Sequence, residues 1–209
     1  MKLEGRENFQ RQFNVSRETM EKLDIFVRLL EKWNPHINLV SKTSLGQVWM
    51  RHIADSAQLF EIGGLEAGSW TDFGSGGGFP GIVLSILSSA NGKNTRFTLV
   101  ESDVRKASFL KTVLRDVEIS ANVISDRIET IPPLAQDRVS ARALAPLSRL
   151  LSYAARHLKV DGKAVFPKGA HADQELETAL ASWRFEVEKF PSKSDPSGVI
   201  LRLGAIEHV

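Results

Sequence analysis

The sequence predicts an α/β protein: a seven-stranded, mostly parallel sheet with helices on both faces, an antiparallel C-terminal strand, and a helical extension in front. Three observations carry this reading. From Trp70 onward, short β-rich runs alternate with helical periodicity, as parallel strands joined by helical crossovers require. Near the C-terminus "RFEVEKF" and "GVILRLG" are separated only by "PSKSDPS", and a loop that short joins antiparallel neighbours. Before Trp70, apolar residues recur at helical spacing.

The first helix starts at Ser16, a suitable N-cap. Its apolar stripe is Met20, Leu23, Val27 and Leu30, widened by Phe26, Leu29 and Trp33, and reads as core packing against the main domain. Pro35 pushes Asn34 out of the helical region and is expected to end the helix. Asn34 and Asn38, four apart at this end, read as capping residues. A second helix is expected over residues 45–60, stopping before Gly63-Gly64. Residues 1–62 thus form the extension and residues 63–209 the core.

Within the core the order is strand "SWTDF", a glycine-rich stretch, helix "FPGIVLSILSS" with Pro80 in its first turn, and strand "TRFTLVE". A helix over residues 103–117 follows, with Val104, Ala107, Leu110 and Leu114 on one face. Strands "ANVIS" and "RVSARAL", a helix over 146–159, strand "KAVFPK" and a helix over 171–183 lead to the final pair of strands.

Composition narrows the function. A chain of 209 residues, 42% hydrophobic and 25% charged, is long enough for one well-filled soluble domain plus an extension. No apolar run is long enough to span a membrane, and the polar "MKLEGRENFQ" is no secretory signal, so a cytoplasmic protein is expected. The absence of cysteine excludes disulfides, thiolate catalysis and cysteine-ligated zinc. Histidines at 36, 52, 157, 171 and 208 lack metal-ligand spacing, and no metal is expected; His52, beside Arg51, reads as structural or as an RNA contact. A net charge of +2 permits a nucleic-acid partner without demanding one.

The stretch "TDFGSGGGFPGI", residues 71–82, is the main chemical signal. A P-loop fails because Ile82 stands where lysine must reach the phosphates, and a nucleophile elbow fails because Phe73 precedes Ser75 by two. Gly76-x-Gly78-x-x-Gly81 matches the dinucleotide pattern formally. Yet the strand is expected to end at Phe73, which leaves Gly74, Gly76 and Gly78 between strand and helix. Asp72 before the turn suits a ligand with an amine and a sulfonium better than a pyrophosphate, and the chain is too short for a second dinucleotide half. Glu101 closes the second strand, where an acid accepts both hydroxyls of a ribose or simply favours the next helix dipole; the glycine turn favours the ribose. In "SDRIET" the backbone of Ile128 and Glu129 lies where an adenine edge would be read; alternatively Ile128 is a core residue and Glu129 a solvated charge.

A five-plus-two sheet with this turn is the usual plan of the Rossmann-like class I S-adenosylmethionine-dependent methyltransferases. More specifically, the chain resembles the 16S rRNA guanine-N7 methyltransferase RsmG family, also called glucose-inhibited division protein B. Six ordered stretches carry the resemblance over nearly the whole chain: "KWNPHINLVS", "RHIADS", "TDFGSGGGFPGI", "LVESDVRKASFL", "ARALAPL" and "VFPKG". The resemblance implies S-adenosyl-L-methionine as cofactor and a guanine N7 of 16S rRNA, free or in the 30S subunit or an assembly intermediate, as target. It places Gly74 and Phe79 on the methionine and ribose side, Ile128 and Glu129 at the adenine, and Arg142 facing the cofactor where the base arrives. The C-terminus departs from the pattern: a basic residue before the last strand and a basic tail are replaced by "DPSGVILRL" and "GAIEHV".

Guanine N7 carries a lone pair and no proton, so its methylation needs no general base, consistent with the lack of an obvious catalytic pair. Arg142 and Lys168 are the residues expected to position the base, at O6 or a phosphate; the structural alternatives are a surface ion pair for Arg142 and a solvated strand-end lysine for Lys168. Arg105, Lys106, Lys111 and Arg115, with Arg11, Arg28 and Lys32, form either a phosphate-tracking surface or solvated helix faces. The rival functions are a methyltransferase of small molecules or proteins and a non-catalytic RNA- or nucleotide-binding module. A monomer is expected.

Overall fold

Seven strands, β1 (Gly68–Phe73), β2 (Thr95–Val100), β3 (Asn122–Ile124), β4 (Gln136–Ala141), β5 (Leu158–Lys168), β6 (Trp183–Pro191) and β7 (Val199–His208), form one sheet in the order β3-β2-β1-β4-β5-β7-β6. The computed structural model describes residues 2–64, 67–92 and 94–209. β1 to β5 run parallel, and β7 is antiparallel to both β5 and β6. β1 sits between β2 and β4, so the chain reverses its direction of travel across the sheet there. The carboxyl ends of β1 and β4 bound the crevice where open α/β sheets receive ligands.

The helices are α1 (Lys2–Phe13), α2 (Arg17–Ile37), α3 (Lys42–Leu45), α4 (Asp55–Ile62), α5 (Gly81–Ala90), α6 (Val104–Asp116), α7 (Leu147–His157) and α8 (Ala172–Leu180), with a π-helical turn over Trp49–Ala54. None is long and apolar enough to cross a membrane among the described residues. Strand alternation sends Phe73, Val100, Val139 and Phe166 into one cluster with α7 and α8. Trp70, Leu84, Phe97 and Val165 share a second cluster with Leu59 of α4. The predicted stripe of α2 is buried, and it joins Phe79, Ile82, Phe109 and Leu110 of α5, α6 and the glycine turn in one cluster. Phe26, fully buried, lies 5.0 Å from the Phe79 ring and 6.4 Å from that of Phe109. Extension and sheet therefore share a core.

The extension departs from its sequence reading in three ways. α1 was not anticipated, because its sequence is polar; it is held by Phe9, buried against Trp49 at 5.7 Å, and by Arg6 Nε donating to Asp24 at 2.8 Å. α2 runs through Pro35 to Ile37, because a proline in the last turn costs little when Asn38 closes the end in the left-handed region, its N–H on the Asn34 carbonyl. Asn34 Oδ1 accepts from Val40 N at 2.8 Å, so both asparagines cap as expected. The single helix expected over 45–60 is instead α3, the π turn and α4, since α3 stops at Gly46. In α6, Val104 is 69% exposed rather than on the buried face, which comprises Ala107, Phe109, Leu110, Val113 and Leu114.

Phe26→Ala tests the shared core. Loss of a fully buried phenylalanine is expected to cost about 3–5 kcal/mol in urea unfolding. Helical circular dichroism and tryptophan fluorescence should still fall together, because the extension has no core of its own.

Candidate active site

The turn after β1 is held by its neighbours at several polar groups. Ser75 N donates to the Val100 carbonyl at 3.1 Å, and Ser75 Oγ to the Asp72 carbonyl at 3.0 Å. Glu101 stands at the end of β2, as the sequence implied. Its Oε2 accepts from Gly76 N and its Oε1 from Asp103 N, both at 2.8 Å. Gly74 and Gly76 have φ of +63° and +51°, a conformation that costs other residues energy. Gly81, the last glycine of the formal dinucleotide pattern, has a packing role: a Cβ there would collide with Leu99 and come within 2.8 Å of Asp72 Oδ2.

Asp72 itself is fully buried beneath the turn. Its Oδ2 accepts from Gly81 N at 3.2 Å, at the start of α5, and its Oδ1 from Ser140 Oγ of β4 at 2.7 Å. Ser140 Oγ in turn accepts from Trp70 Nε1 at 3.0 Å. The carboxylate thus ties β1, β4 and α5 together. Burial pushes its pKa up to about 6, against the opposing pull of Ser140, Ser75, Gly81 and Arg142.

Arg142, one residue past β4, leans back against the extension. Its Nη1 donates to His52 Nδ1 at 2.7 Å, and its guanidinium lies 5.1 Å from the centre of the Phe79 ring. The His52 ring stacks on the same phenylalanine at 4.9 Å. Burial first, then the charges of Arg142 and Arg51, lower the His52 pKa to about 3, so the imidazole is neutral. Because Nδ1 accepts from Arg142, the ring proton sits on Nε2, a buried atom without a hydrogen-bond partner among the described residues. Asp55 Oδ2 lies 3.8 Å from Arg142 Nη1, and Asp55 Oδ1 accepts from Ser194 Oγ at 2.8 Å. Arg142 is therefore not a surface ion pair: its side chain is 19% exposed, and burial lowers its pKa while Asp55 and Asp72 oppose that shift.

Lys168 is not a solvated lysine either. Its side chain is 8% exposed, with Nζ on Glu175 Oε2 at 2.7 Å and on the Ala145 carbonyl at 3.1 Å. Glu175 Oε2 also accepts from Leu147 N at 2.6 Å, so the pair anchors the start of α7 and the loop before it.

Arg142 and Lys168 both line a cleft of about 1420 Å³. Its walls are the extension (Gly5, Val40, Trp49, His52, Asp55), the β4–α7 loop and the β6–β7 loop around Ser194. It meets the glycine turn through two lining residues. Leu144 rests on Gly74, where a Cβ would come within 2.6 Å of its Cδ1, and the Leu39 carbonyl lies 3.1 Å from where a Gly77 Cβ would be. Ile128 and Glu129 are placed elsewhere. Ile128 is buried, its carbonyl 3.0 Å from His157 Nε2, and Glu129 pairs with Arg149 at 3.6 Å. The sequence reading did not single out Asp55 or Ser194. "RHIADS" held the signal for Asp55, since His52 and Asp55 are three apart, a spacing that shares a helical face. Nothing local to "PSKSDPS" marks Ser194.

The turn fits the ligand that the sequence implied. It offers backbone at Gly76 with nothing nearer than 3.6 Å to a Cβ there, while Leu144 packs on Gly74 and Ile82 on Gly78, and a carboxylate at Glu101 whose two oxygens each retain a lone pair after their backbone bonds.

Comparison with known proteins agrees. Residues 19–198 match the family described as rRNA small subunit methyltransferase G. Among curated proteins, Ribosomal RNA small subunit methyltransferase G of Cereibacter sphaeroides is 49% identical, over 94% of this chain and 94% of its own length. The protein of that name from Rhodospirillum centenum is 50% identical, over 95% and 90%. Among solved structures, a SAM-dependent methyltransferase from Aquifex aeolicus aligns with a TM-score of 0.58 at 14% identity, covering 85% of this chain and 97% of that one. A TehB-like SAM-dependent methyltransferase from Corynebacterium glutamicum gives 0.55 at 19% identity, covering 72% and 86%. At such identities these two share the fold.

The raised pKa of Asp72 has a sign that can be measured. The folded state holds its proton more tightly than the unfolded chain, whose carboxyl titrates near 3.8, so stability falls as pH rises through the interval up to about 6. Asp72→Asn removes this contribution. Between about pH 4.5 and about pH 7.5 the wild type should lose about 2 kcal/mol relative to the variant, read from urea midpoints of both.

Proposed function

The chain belongs to the rRNA small subunit methyltransferase G family, and from that premise we propose that it transfers the methyl group of S-adenosylmethionine to N7 of a guanine in 16S rRNA, acting as a cytoplasmic monomer. The observation that carries this reading is the meeting of Arg142, His52 and Phe79 in and beside the cleft wall. These residues come from three of the stretches that carry the family resemblance, far apart in sequence, and they sit where the glycine turn meets the cleft.

The chemistry asks little of the side chains. N7 is unprotonated, so nothing must remove a proton, and the site accordingly presents no poised base. His52 is neutral and spends its acceptor nitrogen on Arg142, while Asp72 is sealed beneath the turn. The sulfonium supplies a methyl group of high transfer potential when bound. What the protein contributes is placement of the base in line with it. In this reading Gly74, Gly76, Gly78 and Phe79 face the amino-acid and sulfonium side, Glu101 the ribose, and the backbone of Ile128 and Glu129 the adenine. Asp72 acts indirectly, by fixing the turn. Arg142 donates to guanine O6, and Lys168, already bound to Glu175 and Ala145, holds the loop that carries Arg142 toward α7.

Undermethylated 30S subunits and free 16S rRNA, incubated with the protein and S-adenosylmethionine, should each be tested for 7-methylguanine by borohydride–aniline cleavage. New cleavage is expected in one or both; its absence from both, with cofactor binding confirmed, would sink the proposal. Gly74→Asp should keep the fold by circular dichroism and lower stability by about 1–2 kcal/mol, since aspartate at positive φ is strained but less than most residues. Its carboxylate, set against Leu144, should weaken S-adenosylmethionine binding beyond detection by calorimetry; unaltered affinity would refute the placement of the cofactor.

A further inference from the structure

N7 alone does not distinguish the purines. Guanine and adenine both present an unprotonated N7 acceptor; they differ beside it, guanine carrying the O6 acceptor where adenine carries the N6 amine. Further round the ring guanine offers N1–H and an N2 amine, where adenine has a bare N1 lone pair. A donor can read O6, and an acceptor can read N1–H and N2–H2; for the latter a carboxylate is the strongest acceptor a protein has.

Three carboxylates line the cleft: Asp55, Glu175 and Asp195. Glu175 is committed to Lys168 and Leu147 N, and Asp195 Oδ1 takes Ser197 N and Oγ at 2.9 and 2.8 Å. Asp55 differs. Its Oδ1 is fixed by Ser194, and its Oδ2 points toward Arg142 at 3.8 Å, beyond hydrogen-bond length. Arg142 in turn lies 5.1 Å from the centre of the Phe79 ring, placing it between Asp55 and the turn that carries Phe79. The sequence Asp55, Arg142, glycine turn matches the order N1–H/N2–H2, O6, N7 around the guanine ring.

We propose that Asp55 selects guanine, its Oδ2 accepting from N1–H and N2–H2 while Arg142 donates to O6, which leaves N7 directed at the glycine turn. The proposal rests on guanine N7 being the methyl acceptor. Adenine in the same position sets its N1 lone pair against the carboxylate and its N6 amine against the guanidinium.

The test uses the full-length protein and mononucleotide probes followed by NMR titration. The wild type should bind GMP roughly tenfold or more tightly than AMP, and than GMP methylated at N1, the loss expected for a hydrogen bond to a charged group. Asp55→Asn should narrow the preference for GMP over AMP and over N1-methylated GMP by about threefold or more, Arg142 at O6 retaining part of the first, while its affinity for S-adenosylmethionine holds. Ser194→Ala separates recognition from loop anchoring: it removes one anchor of the β6–β7 loop, where Lys193 still holds Gln58 and Glu61, leaves the carboxylate, and should keep the wild-type ratio. Asp55→Asn with an intact ratio, Ser194→Ala closing the ratio to the same extent, or equal binding of GMP, AMP and N1-methyl-GMP by the wild type each overturns the proposal. The N1-methyl comparison needs no variant to fold. If wild type forms 7-methylguanine in rRNA but these ratios fail, only the role of Asp55 falls. If the ratios hold and no rRNA is methylated, the assigned reaction falls instead.

Discussion

The structure hangs on the carboxylate of Asp72. A charged group with no exposure is expensive to keep, and it is tolerated here because three donors converge on its residue. One oxygen takes the first backbone amide of α5, the other the hydroxyl of Ser140 on the neighbouring strand. Those contacts fix where the chain leaves β1 and where it begins α5. Everything between them is the glycine turn. With both ends pinned, the turn is rigid without needing side chains of its own, and the backbone it exposes stays open.

A second constraint joins that turn to the extension. Phe79 is contacted from below by Phe26 of α2, on its face by His52 of the π turn, and by the Arg142 guanidinium. The extension is thus part of the site rather than an appendage to it. π-helical turns often occur at functional positions, and the one at Trp49–Ala54 carries His52 into the contact with Arg142. On another wall the Lys168–Glu175 pair performs the analogous task for the loop leading to α7, so Arg142 stands on a segment steadied from two sides.

Much of this was legible in the sequence, and the reasons are local. Strand alternation, the short C-terminal loop and the run of glycines each constrain backbone geometry within a few residues, and the sheet obeys them. The helical stripe of α2 was legible because burial leaves a periodic trace. What left no local trace depends on distant partners. Lys168 is singled out by its place at a strand end, but its bond to Glu175 of α8 has no signal in the sequence around it. Asp55 is one acid in a helical segment until Arg142 and Ser194 come to meet it. α1 has too polar a sequence to announce itself, because it is retained by two phenylalanines, Phe9 and Phe13, and an ion pair. Pro35 misled for a different reason: its rule concerns the residue before it, and here Asn38 supplies the helix end that the proline was expected to impose.

The bond between Asp55 and Ser194 spans 139 positions of the chain. Lys193 N, next to Ser194, likewise reaches back to Gln58 Oε1 at 2.6 Å. A ribosome making this protein therefore releases the glycine turn, the π turn and Arg142 long before the segment that closes the cleft around them. Contacts of such separation form late, after the loop-closure entropy of the intervening chain has been overcome. A nascent or C-terminally shortened chain would carry the cofactor turn yet lack one wall of the cleft. Completion of synthesis is in this way built into the competence of the site.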